Sequence, residues 1–89
     1  GPNEAGPVPD LALLSRIDAF QVEVTGAALI ARIDISLTLL RDRDQSVIKT
    51  EVFRNEITAV NDTPDAIVAA FQAILDALLP QMATWAVSG

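Results

Sequence analysis

The stretch Leu29-Ile30-Ala31-Arg32-Ile33-Asp34-Ile35-Ser36-Leu37-Thr38-Leu39 decides the fold. From Leu29 onward every odd position is apolar, and from Arg32 the even positions are polar or charged. Side chains alternate across a strand, so this pattern places the odd set on one face of a β-strand. That face needs a cover, while the even face can meet water. The rest of the chain is read for what supplies the cover.

On the N-terminal side, residues 14–24 read as a first strand, with Leu11 to Leu14 as its approach. Phe20, Val22 and Val24 alternate, and so do Ile17 and Ala19, but the two sets are out of phase. A β-bulge near Ala19-Phe20 returns Ile17 and Phe20 to one face. With Thr25-Gly26 as a two-residue turn, Val22 is expected opposite Leu29 and Phe20 opposite Ala31. Beyond the bulge, Ile17 then faces Ile33, Asp18 faces Arg32 and Arg16 faces Asp34. The two charge pairs favour this register.

On the C-terminal side, Arg41-Asp42-Arg43-Asp44-Gln45 reads as a polar turn. A third strand follows, from about Ser46 to Ile57, with Ile48, Thr50 and Val52 expected inward. Phe53 breaks that phase, which calls for a second bulge or an outward Phe. Ala59 to Asp62 is a loop. Thr63-Pro64-Asp65 then has the marks of a helix start: a capping hydroxyl, a proline at the first helical position and an acid at the positive end of the dipole. Ile67, Phe71, Ile74, Leu78, Met82 and Trp85 recur every three or four residues, widened by Val68, Leu75 and Leu79. Asp65, Gln72 and Asp76 mark the opposite side. The spacing predicts one helix over about 64–86, kinked at Pro80, which stands on the solvent side. The expected fold class is α+β: a three-stranded antiparallel meander with one long C-terminal helix packed on one face.

Totals narrow the function classes. The chain has 89 residues, 51% of them hydrophobic, enough for one small core. One core in a chain this short yields roughly 3–5 kcal/mol, so partner contacts matter to its stability. Net charge is −6, with six basic residues and no His. That balance disfavours nucleic acid and anionic lipid surfaces. No Cys is present, which removes disulfides, thiolate nucleophiles and zinc-thiolate sites. No uninterrupted apolar run approaches the roughly 20 residues of a bilayer span. No signal peptide is evident. Residues 1–10 hold three prolines and two glycines and read as a tag remnant or linker, Gly1-Pro2 matching the scar of a tag-removing protease. Residues 11–89 are read as a single βββα domain.

Candidate carboxylates are Asp18, Asp34, Glu51, Glu56, Asp62, Asp65 and Asp76. Acid–base work needs a pair in a cleft with displaced pKa values. Asp18 and Asp34, beside Arg16 and Arg32 on an open face, read instead as solvated ion pairs. Asp42 and Asp44 loosely suggest a calcium loop, but the sixth-position Gly and twelfth-position Glu are missing. The four serines have no His to activate them. The glycines form no phosphate loop. Trp85 at helical spacing reads as core. No catalytic, cofactor or metal residue is assigned, and partner-binding residues stay unknown.

Taken in order, these features resemble the C-terminal half of the ABC-type transport auxiliary lipoproteins, the group that includes the paraquat-inducible protein C type. Arg16-Ile17-Asp18-Ala19-Phe20 stands for an I-x-x-F strand. Ile33-Asp34-Ile35-Ser36-Leu37 and Leu39-Leu40-Arg41-Asp42 follow. Val47-Ile48 and Val52-Phe53-Arg54 match the next strand, and the Ala-rich helix from Ala66 through Phe71 and Leu75 ends in Ala83-Thr84-Trp85. The resemblance covers about residues 14–86. Asp44-Gln45-Ser46 stands where the family usually has Gly. The family's N-terminal half, with its lipidated cysteine, a strand and a helix, is not in these 89 residues.

The resemblance implies a fragment of a TolB N-terminal-like domain, on the periplasmic side of a Gram-negative envelope and lipid-anchored in full-length form. It implies a non-enzymatic accessory to an MCE-type (mammalian cell entry) ABC lipid transporter, acting through protein contacts. The expected partners are an MCE-type transporter protein and further copies of the chain, with no nucleic acid. Membrane association is expected only through the missing anchor. The alternatives are a generic envelope lipoprotein or assembly domain, and a small lipid carrier. A carrier needs an enclosed cavity of roughly 300 Å³ or more.

Overall fold

Two tight turns fold the N-terminal part of the chain into an antiparallel meander, and a helix returns across one side of it. The computed structural model describes residues 10–88. Strand β1 is Leu11–Thr25, β2 is Ala28–Arg41, β3 is Ser46–Thr58, and helix α1 is Pro64–Val87. The sheet order is β1-β2-β3, with β2 central.

Alternation in β2 sorts its side chains as expected. Ala31, Ile33, Ile35, Leu37 and Leu39 are all buried. Helix α1 lies over β2 and β3 and inserts Ala66, Ala70, Ile74 and Leu78. These four form an i, i+4 row, so the most buried line uses alanines that bring the helix close to the sheet. Phe71, Leu75, Met82 and Trp85 pack beside that line and Ile67 is half-buried, while Val68 and Leu79 remain exposed.

The β1–β2 register differs from expectation by two residues. Val24 pairs with Leu29, Val22 with Ala31, Phe20 with Ile33 and Ile17 with Ile35. The turn is Gly26-Ala27, because Thr25 pairs with Ala28. Gly26 has φ +59°. A turn at Thr25-Gly26 would instead put a β-branched Thr at the first turn position, which primed hairpin turns hold in left-handed backbone. A shift of two preserves the faces, so Ile17 and Phe20 still share one. The bulge lies between Ile17 and Ala19, with Asp18 as the extra residue. Arg16 consequently pairs with Ser36 and Ala19 with Asp34, and the expected cross-strand charge pairs do not form.

The phase of β3 is also the reverse of the expected one. Phe53 pairs with Ile35 and Ile57 with Ala31, which puts both beneath the helix. Thr50 faces Thr38 and Val52 faces Ser36 on the other side. The bulge absorbs Ile48, not Phe53: Lys49 pairs with Leu39 and Val47 with Leu40. Phe53 and Ile57 offer more apolar area to the core than Thr50 and Val52, so burial selects this phase.

Thr63 is the N-cap, its hydroxyl accepting from the Ala66 N–H at 3.2 Å. The helix runs unbroken through Pro80, whose surroundings are exposed. Although no continuous apolar run suggested a membrane span, α1 is long and apolar enough to cross one by composition. Here its Ile74 line is packed on the sheet.

Candidate functional site

The fold presents three surfaces that could carry function: the outer sheet face, the C-terminal end of α1, and the part of the inner face that α1 does not reach.

The outer face is a network of ion pairs. Asp34 is 5% exposed, the one buried charged residue among those described. It accepts from Arg32 Nε at 3.3 Å and Nη2 at 2.9 Å, and Arg54 Nε lies 4.0 Å away. Arg32 also reaches Glu23 at 3.3 Å. Asp18 accepts from Arg16 Nε at 2.6 Å and from the Ser36 hydroxyl. Arg16–Asp18 and Arg32–Asp34 join residues two apart on one strand, since side chains i and i+2 share a face, while Arg32–Glu23 and Arg54–Asp34 bridge neighbouring strands. The Ser36 hydroxyl and then Arg16 lower the Asp18 pKa. Hydrogen bonds from Arg32 lower that of Asp34 against the opposing effect of burial. Both carboxyls are held ionised, which suits ion pairing and opposes proton donation near neutrality.

The remaining carboxylates do not converge. Asp44 accepts from the N–H and hydroxyl of Ser46 at 3.0 and 2.7 Å, closing the β2–β3 turn, and these bonds lower its pKa. Gln45 takes the left-handed position there, with φ 61°. Glu51 sits opposite Leu37, Glu56 opposite Arg32, and Asp76 is held by Gln72 at 2.9 Å on the exposed side of α1. Asp62 and Asp65 flank the helix start. Among the described residues, no three Asp, Glu, His or Cys side chains group as metal ligands.

At the far end of α1, Lys49 makes contacts that the sequence reading missed. Its Nζ donates to the Trp85 carbonyl at 2.5 Å and to the Ser88 carbonyl at 2.8 Å, and it lies 4.5 Å from the Trp85 ring centroid. The last turn of α1 has no basic residue of its own. The chain's only lysine therefore supplies, from β3, the positive charge that helix C-termini favour. Its signal in the sequence was a charge at an inward position of β3, visible only once the phase was right. Trp85, half-buried, packs edge-on to Phe53 at the margin of the core, centroids 5.9 Å apart.

The third surface is apolar. Leu13, Ile17, Phe20, Val22 and Val24 face the same way as the buried side of β2, yet they are 38–71% exposed. Helix α1 touches this strip at Phe71, whose ring stacks on Phe20 with centroids 4.5 Å apart and planes 7° from parallel. The strip is a floor with α1 as a wall. Between sheet and helix, Ile33, Leu37 and Ile74 fill the interior, all at 2% exposure or less.

Comparison with known proteins bears on these surfaces. The family model for the "ABC-type transport auxiliary lipoprotein component" matches residues 1–83. The match takes in the N-terminal stretch read as tag remnant or linker, of which residues 1–9 lie outside the described ones. No curated protein matches the chain. A crystal structure of a Xanthomonas campestris protein, assigned to family DUF330, superposes with a TM-score of 0.79 at 23% identity. The alignment covers 85% of this chain and 45% of that one, so the chain spans less than half of its structural relative. At that identity the likeness establishes the fold.

Proposed function

Because this chain belongs to the ABC-type transport auxiliary lipoprotein family, we propose that it is a non-enzymatic accessory domain of an MCE-type ABC lipid transport system. It works through protein–protein contacts on the periplasmic side of the envelope, and a lipid-anchored, longer form of the protein holds it there. Membership gives an auxiliary role in ABC transport, in a family not known for enzymes, and the lipoprotein description suggests the envelope. The finer reading rests on the apolar strip of β1: five large side chains left open on a domain whose buried carboxylate is neutralised by arginines. Contiguous apolar surface of this kind marks an interaction site. Self-association is part of the proposal.

The filled interior favours a contact protein over a lipid carrier, which needs an enclosed cavity. The test is site-specific photocrosslinking in cells from Val24 and, as a control, from Glu56 on the outer face. The expected result is a crosslink from Val24 to an MCE-type transporter subunit, with loss of envelope barrier function in cells lacking the protein. An intact barrier, or equal crosslinking from both positions, would refute it.

A further inference from the structure

We infer that the part of α1 beyond Pro80, residues 81–88, is a hinged flap that leaves the sheet as one unit while the rest of the helix stays down. Pro80 is its hinge and Lys49 is its latch. Before Pro80 the helix is anchored by the row Ala66, Ala70, Ile74 and Leu78, all buried. The next position of that row is Met82, which is half-buried, as is Trp85. Apolar anchoring therefore weakens where Pro80 interrupts the backbone ladder. A proline has no N–H, so the bond that position 80 would donate to the Asp76 carbonyl is missing. Once off the sheet the flap unravels, because isolated helices shorter than roughly 12–15 residues are marginal in water.

The latch reaches across from β3, where Lys49 pairs with Leu39. An ammonium group has three donors, and here each has a partner in the flap. They are the Trp85 carbonyl at 2.5 Å, the Ser88 carbonyl at 2.8 Å and the Ser88 hydroxyl at 3.2 Å. The Ser88 hydroxyl in turn donates to the Trp85 carbonyl at 2.9 Å, which joins the acceptors to one another. The ammonium also lies 4.5 Å from the centroid of the Trp85 ring, within reach of its π face. All of these partners stand beyond the hinge, so one side chain holds the whole segment. Its release takes Trp85 away from Phe53, the ring it packs against edge-on.

Trp85 is the chain's only tryptophan, so its fluorescence reports the flap. The methyl resonances of Ile33 and Ile74, both fully buried, report the core. In a urea titration the Trp85 transition is expected to come before that of the two methyls, since separate units lose coincidence. Lys49→Met keeps the aliphatic stem and removes the charged donors. It is expected to move flap opening roughly tenfold or more toward the open form, shifting the Trp85 transition to lower urea. The methyl transition should stay in place, because the latch is already open there. Pro80→Ala restores the missing bond and is expected to move the Trp85 transition up toward that of the methyls. A Trp85 transition that coincides with the methyl signals in the unaltered chain, or that stays in place in Lys49→Met, overturns the inference.

Discussion

Strands β1 and β2 carry nearly the same pattern, and the fold treats them oppositely. Ile35 of β2 is 8% exposed, while its direct partner Ile17 on β1 is 65% exposed. Ile33 is fully buried, and Phe20 beside it is 56% exposed. Both strands alternate, and both turn the same face inward. The difference is position: β2 is central and lies under α1, whereas β1 is an edge beyond the reach of one helix. Alternation therefore reports which face is apolar and leaves open whether anything covers it.

The largest expected effect comes from breaking the covered side. Ile35→Ala should cost about 3 kcal/mol in denaturant unfolding, since it removes buried methyl groups and leaves a cavity. Thr63→Ala tests the cover itself. Loss of the cap bond to Ala66 should cost about 1 kcal/mol. Ile17→Ala sharpens the contrast. At concentrations low enough to keep the chain monomeric it should cost less than about 1 kcal/mol, because most of that side chain already meets water. Equal losses from Ile17→Ala and Ile35→Ala would mean that β1 is as covered as β2.

The smallest effect lies on the outer face, where the strands differ again. Asp18 and Asp34 have lowered folded pKa values. Their contribution is complete above the unfolded value of about 3.9 and is lost as pH falls through the folded values. Stability should be level above about pH 5 and decline below about pH 4. Asp34→Asn should flatten this decline more than Asp18→Asn, because the Asp34 side chain is 8% exposed and that of Asp18 is 29% exposed. An acid unfolding series on both variants checks the order.

Much of the fold was legible in single residues. Thr63 and Pro64 announced the helix, and the phase break between Ile17 and Phe20 announced the bulge. The exact register was not legible, because pairings two residues apart present the same faces. The left-handed backbone at Gly26 separates them. In β3, Val52 and Phe53 are adjacent apolar residues, and strand periodicity cannot choose between neighbours. The place under Trp85 does. The candidate surface was the least legible: alternation puts Ile17 and Phe20 on one face without saying how much of that face is covered.

By itself, the sequence determined the element types, their order and the apolar faces of β1 and β2, because those follow from local periodicity and capping chemistry. It also determined that no Cys or His chemistry is available. Only the tertiary structure decided the β1–β2 register, the phase of β3, the reach of Lys49 to the helix end, and the exposure of β1. Each of these depends on where one helix of fixed width comes to rest on a three-stranded sheet, a distance that no local pattern encodes.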